Sequence, residues 1–208
     1  MKKAGKLNSP PPQAEFDKLS LASYCGQFSG VYYRLHGLNS KTGAPWDPVH
    51  FSRRGTTRFD PAKGPGTFYV GESLAGVLME VFDDSWGQVG SVSRSITKTQ
   101  LQEWWVTLVA VPSVTLFAAQ SGHLSKIGTD LQLLTGDYVI SREWALSLVR
   151  HPAKIDGIYY PSRHADDQCN LAIFNQRDWA AAQFDKNLLP PAANHFLRTI
   201  SDKDSLVW

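Results

Sequence analysis

Six polar side chains fall at the ends of apolar segments or in the loops between them: Arg34, Arg58, Tyr69, Glu80, Ser162 and Arg163. Loop and element-terminal positions are where binding and catalytic groups usually sit. Guanidinium forks match phosphate oxygens in pairs. A carboxylate can hold a hydroxyl or answer a developing positive charge. Each residue also has a structural reading. Glu80 lies in SLAGVLMEVF, residues 73–82, at the edge of an apolar helical stripe. A partly buried carboxylate there needs a partner, and an ion pair with one of the arginines would serve as well as a ligand. Arg34 and Arg58 can be structural, Tyr69 half-buried strand packing, and Ser162 a turn residue after Pro161. His36 and His164 have no second ligand at metal spacing, so no metal is expected. There is no G-x-S-x-G, P-loop or Rossmann glycine pattern.

The elements that must position these groups read as an α+β mixture. Residues 28–34 (FSGVYYR) and 68–71 have strand character, and 38–48 reads as loop. In 73–82, Leu74, Val77, Leu78 and Val81 recur at i, i+3, i+4 and i+7, which predicts a helix with one apolar face. Ser73 is the natural N-cap, with Gly71 as the alternative position. Residues 104–111 and 114–117 read as two strands broken at Pro112. Helices are expected over 124–134 and over 141–150, the second capped by Ser141 and followed by Pro152. Strands follow at 158–160 and 171–174, and a further helix near 178–184. Strands and helices do not alternate regularly, which favours α+β over a doubly wound sheet.

The 208 residues fit one domain, expected over 16–208, after a Pro-containing flexible or extended leader at 1–15. With 42% hydrophobic and 19% charged residues the chain is of ordinary globular composition. A net charge of +2 with no basic run argues against nucleic-acid binding, while a small phosphate-bearing ligand needs only a few arginines. Cys25 and Cys169 show no metal spacing and read as free thiols. No apolar run follows the N-terminal lysines, and no stretch approaches the ~20 apolar residues of a membrane span. A cytoplasmic protein is expected.

In order along the chain, YYRLHG at 32–37, RGTTRFDP at 54–61, FYVGESLAGVLMEVF at 68–82, TGDYVISREWALSL at 135–148, DGIYYPSR at 156–163 and NLAIF at 170–174 resemble the RES-domain family, most strongly over 28–176. The family is named for Arg, Glu and Ser. The resemblance implies an ADP-ribosyltransferase-like mixed β core with surrounding helices and a central NAD⁺ cleft. It implies an enzyme of a toxin–antitoxin pair that cleaves the nicotinamide–ribose bond, by phosphorolysis or hydrolysis. ADP-ribosyl transfer to a protein is the alternative activity, and a non-catalytic NAD-binding module the alternative class. The family's residues fall on Arg34, Tyr69 and Glu80 as catalytic groups, and on Arg34, Arg58, Tyr69 and Ser162 as NAD⁺-binding groups. The text around Arg58 departs from the family pattern, which makes Arg54 a competitor. NAD⁺ would be substrate rather than cofactor, with phosphate as a possible co-substrate. An Xre-type antitoxin is the implied partner, and homo-oligomerisation is open. Residues 83–100 read as an insertion relative to the family.

Overall fold

The computed structural model describes residues 8–61, 63–82, 95–97, 101, 103–162, 168–177 and 205–207. Its centre is a mixed sheet that closes on itself in the order β1-β2-β6-β5-β4, with β4 returning to β1. These strands are β1 (Cys25–Gly37), β2 (Thr67–Gly71), β4 (Trp104–Ala118), β5 (Gly157–Pro161) and β6 (Cys169–Phe174). A separate two-stranded ribbon pairs β3 (Ser95–Thr97) with β7 (Ser205–Val207). The expected α+β class with a mixed β core and surrounding helices is what the chain adopts.

β1 and β4 form the longest ladder, antiparallel from Cys25↔Phe117 to Gly37↔Trp104. Pro112 does not break β4. Between Phe28↔Val114 and Gly30↔Val111 the ladder takes up one extra β4 residue, so Pro112 lies in a bulge. There a missing backbone N–H costs no ladder bond, which is why one continuous strand replaces the two expected. β1 is also longer than the expected 28–34, because β4 pairs it from end to end.

Among the described strands β4 and β5 form the one parallel pair, from Leu116↔Gly157 to Ala118↔Tyr159. A parallel pair needs a crossover, and three helices supply it: α3 (Ser121–Lys126), α4 (Gln132–Thr135) and α5 (Tyr138–Arg150). The single helix expected over 124–134 is therefore two short ones. Gly128, at φ 88°, turns the chain out of the helical region between them. α5 starts earlier than predicted, since Asp137 rather than Ser141 is its cap, accepting a 2.7 Å bond from the Val139 N–H. Ser141 is fully buried one turn inside, donating to the Leu133 carbonyl at 2.9 Å. α2 (Leu74–Val81) is capped as expected, with Ser73 Oγ accepting from the Gly76 N–H at 2.9 Å.

Three apolar clusters hold these layers. Phe59, Phe117, Trp144, Leu148, Ile158 and Phe174 seat α5 on one sheet face. Phe68, Val70, Val109, Val114, Leu171 and Ile173 fill the other face. Leu35, Val77, Leu78, Phe82 and Val106 lock α2 onto β1 and β4. Each such side chain contributes about 1.5–3 kcal/mol on burial.

Residues 8–15, part of the expected leader, lie against α5. The Trp144 indole N–H donates to the Asn8 carbonyl at 2.8 Å, and a short helix α1 (Gln13–Phe16) buries Phe16 completely. Ordered structure therefore begins before the expected start near Phe16. Of the expected insertion at 83–100 only 95–97 are among the described residues. The expected helix near 178–184, Arg163 and His164 lie outside them. Among the described residues no helix is long and apolar enough to cross a membrane.

Candidate active site

β1 and β2 are joined at a single ladder position, Tyr33↔Gly71. Beyond it the strands part, and a cavity of about 400 Å³ opens between them, roofed by α2, the 56–58 loop and the start of α5. The volume lies within the usual range of roughly 300–1,000 Å³ for ligand pockets. Arg34, Arg58, Tyr69 and Glu80 all line it, with Tyr138, Tyr160 and Asn170.

Arg34 spans the gap between the parted strands. Its Nη1 donates to the Tyr69 carbonyl at 2.8 Å, and its guanidinium lies 5.3 Å from the Phe68 ring centroid. Burial lowers its pKa to about 10, a fall only partly opposed by Tyr69 and Tyr160. Its Nε is buried with no hydrogen-bond partner, and among the described residues no carboxylate pairs with it. A desolvated cation without a counter-charge is costly, and an anionic ligand would offset that cost.

Arg58 is carried by a loop shaped from within. Asp60 Oδ2 accepts from Ser52 Oγ at 2.8 Å and from the Gly55 N–H at 3.0 Å, while Arg142 donates to the Gly55 carbonyl. Arg58 Nη1 donates to the Gly136 carbonyl at 2.8 Å, and its plane lies 4.3 Å from the Tyr138 ring. The crossover thus brings α5 against Arg58 and fixes the cation at the cavity wall. Arg54, the competitor, is exposed and does not line the cavity.

Glu80 projects from the last turn of α2, with Oε1 accepting from Ser162 Oγ at 3.0 Å. Among the described residues Glu80 makes no ion pair with an arginine, and a hydroxyl holds the carboxylate. Ser162 is 4% exposed and is not among the cavity-lining residues. It is bonded to Glu80 at the edge of the cavity, next to Pro161, which lines it. Its backbone N–H bonds the Gln168 carbonyl at 2.7 Å, which continues the β5–β6 pairing and fixes the hydroxyl's position.

The Tyr69 ring is part of the wall, but its hydroxyl is committed. It accepts from the Phe59 N–H at 2.8 Å and from Thr57 Oγ1 at 3.0 Å. Burial raises its pKa, outweighing those two bonds, so it stays neutral. Tyr160 is likewise raised, by burial first and by the Glu80 charge second. His36 is buried beside the site, with Nε2 2.8 Å from Thr107 Oγ1. Burial, reinforced by the Arg34 charge, lowers it to about 4, so it is a neutral structural group. Cys25 and Cys169 are free, and burial raises both thiols, Cys25 to about 11. Neither is a thiolate nucleophile at neutral pH. Among the described residues no cluster of His, Cys, Asp or Glu could hold a metal ion.

The fold therefore gathers four of the predicted residues around one cavity and sets the fifth, Ser162, against Glu80. Sequence reasoning did not single out Tyr138, Tyr160 or Asn170. All three lie inside the segments TGDYVISREWALSL, DGIYYPSR and NLAIF, which were the only available signal. The cavity can bind an anion through two guanidiniums while presenting a carboxylate to a neutral or cationic part of the same ligand.

Residues 31–195 match the family model of the RES domain. No curated protein matches the chain significantly. Among solved structures the chain is similar to one in the crystal structure of the M. tuberculosis MbcT–MbcA toxin–antitoxin complex. The TM-score is 0.63 at 15% identity, over 90% of this chain and 97% of that chain. At that identity the likeness is one of fold.

Proposed function

The chain belongs to the RES-domain family, and from that premise we propose that it cleaves NAD⁺ between nicotinamide and ribose as the toxin of a toxin–antitoxin pair. The observation that carries the reading is the sharing of one cavity by Glu80, Arg34 and Arg58. NAD⁺ has the complementary pattern, a diphosphate joined to a ribose whose C–N bond is already activated by the positive pyridinium.

Heterolysis sends the C–N electron pair to nicotinamide, which departs neutral without needing a proton. The ribose becomes oxocarbenium-like, as in other glycosyl cleavages. Glu80, oriented by Ser162, holds a ribose hydroxyl and stabilises the growing positive charge. Arg34 and Arg58 grip the diphosphate and so place the sugar under the carboxylate. Water or inorganic phosphate then attacks the anomeric carbon. Water gives up a proton as it adds and leaves ADP-ribose; phosphate leaves ADP-ribose 1″-phosphate.

The deciding experiment is incubation of the purified chain with NAD⁺, with and without phosphate, followed by product identification. Release of nicotinamide in proportion to NAD⁺ loss is expected. Intact NAD⁺ after prolonged incubation would sink the reading. Label appearing on protein would redirect it to ADP-ribosyl transfer. Glu80→Gln is expected to keep the fold and lower turnover by roughly 10²–10³-fold. Near-normal turnover by the folded variant would remove Glu80 from the chemistry. The solved relative comes from a toxin–antitoxin complex, which supports a neutralising partner here. An Xre-type protein encoded nearby should bind the chain and restore growth to cells expressing it.

A further inference from the structure

We infer that the side-chain amide of Asn170 is an additional substrate-binding group, taking the sugar hydroxyl next to the one held by Glu80. The inference rests on the NAD⁺ reading and adds a contact that neither the family motif nor the charge pattern assigns. Asn170 opens the buried part of β6, opposite Gly71 on one side and Tyr160 on the other. It is 3% exposed and lines the cavity, and among the described residues its Nδ2 has no hydrogen-bond partner. An orphaned buried amide is destabilising, and folded proteins contain few of them. One at a cavity wall is explained if a ligand completes it.

The surroundings keep this amide in place and clear the space beside it. A Cβ at Gly71 would lie 2.6 Å from Asn170 Oδ1, so the absent side chain leaves the room that the amide occupies. A Cβ at Gly76 would lie 3.9 Å from the same atom, so the amide abuts the first turn of α2. Gly76 and Glu80 are i and i+4 on one helix face. Helical side chains lean toward the N-terminus, and Glu80 and Asn170 both line the cavity beside the bare backbone at Gly76. The two do not bond each other: Glu80 accepts from Ser162, and Asn170 Nδ2 has no partner among the described residues. The carboxylate can only accept and the amide can donate. A vicinal diol satisfies both, one hydroxyl donating to Glu80 and its neighbour accepting from Asn170. The nicotinamide ribose carries such a diol.

The test compares wild type with Asn170→Ala and with Asn170→Asp, which keeps the size and removes the donor. Substrates are NAD⁺ and its 2′-deoxy and 3′-deoxy analogues at the nicotinamide ribose. On NAD⁺ both variants are expected to lose roughly 10–100-fold in kcat/KM, with melting temperature held close to wild type since no intramolecular bond is removed. On one of the two deoxy analogues wild type and variants should converge. Variants within twofold of wild type on NAD⁺, or an equal loss on all three substrates, would overturn the Asn170 assignment and leave NAD⁺ cleavage standing. If wild type itself leaves NAD⁺ intact, the functional reading fails and this inference fails with it. Should Asn170→Ala fold poorly, Asn170→Asp carries the comparison alone.

Discussion

Glu80 and Ser162 stand 82 residues apart in the chain and are joined by one 3.0 Å hydrogen bond. That bond is the difference between a carboxylate free to swing and one aimed across a cavity. Ser162→Ala should therefore lower kcat by roughly tenfold, the cost of one charge-assisted bond, with KM little changed. Because Ser162 acts through Glu80, the double variant Ser162→Ala/Glu80→Gln should be no slower than Glu80→Gln alone. Additive losses would make Ser162 an independent substrate contact. His36 makes a separate prediction at this scale. Its folded pKa is lowered to about 4, by burial and then by Arg34, from 6.5. A depressed folded value means that the unfolded chain binds the proton first as pH falls. The stability contribution is fully present above pH 6.5 and is lost on the way down through about 4. Urea unfolding should show a loss on the order of 2–3 kcal/mol between those limits, and His36→Gln should flatten that part of the profile. An unchanged slope would mean that other groups govern the acid limb.

Elements matter here by what they carry to the cavity. α5 delivers Tyr138, and its start is set by the Asp137 cap on the Val139 N–H at 2.7 Å. Asp137→Ala should cost about 1 kcal/mol, or roughly 2–4 °C in melting temperature for a chain of this size. Because the Gly136 carbonyl takes a bond from Arg58 at 2.8 Å, the same variant should also raise KM for NAD⁺. A melting temperature equal to wild type would mean that the Asp137 side chain does not stabilise the start of α5. α2 depends on close approach to β2 at Gly71. A Cβ there would meet Val77 Cγ1 as well as Asn170 Oδ1 at 2.6 Å. The helix bearing Glu80 can lie this near the strand bearing Tyr69 only because that position is bare.

At the scale of the molecule, the cavity is where the closed sheet fails to close fully. Four of its five seams are laddered over several residues, and the β1–β2 seam is pinned at one. The rest of the fold has to resist that opening, and much of the resistance lies in the cluster beneath α5. Phe16 reaches this cluster from residues that resemble a leader, meeting Trp144 edge-on at 5.8 Å and His151 at 5.4 Å. Phe16→Ala is expected to cost about 3–5 kcal/mol, read as a drop in the denaturation midpoint. A loss below about 1 kcal/mol, the size of a typical surface change, would mean that the N-terminal segment is dispensable.

Local chemistry was enough to read several features from the chain alone. The apolar repeat of Leu74, Val77, Leu78 and Val81 and the Ser73 cap mark α2, because helical period and capping are short-range properties. The α+β class follows from irregular alternation, and the ordered motifs point to the RES family and to Arg34, Arg58, Tyr69 and Glu80. Tertiary structure alone decided the rest. Pro112 stays in a strand because its partner strand allows a bulge. The choice of Arg58 over Arg54 depends on which one the Asp60-shaped loop turns inward. Ser162 is bonded to Glu80, and Asn170 Nδ2 has no partner among the described residues at the wall, through contacts between residues distant in sequence. Such contacts are set by how strands and helices pack, and no residue's immediate neighbours along the chain encode them.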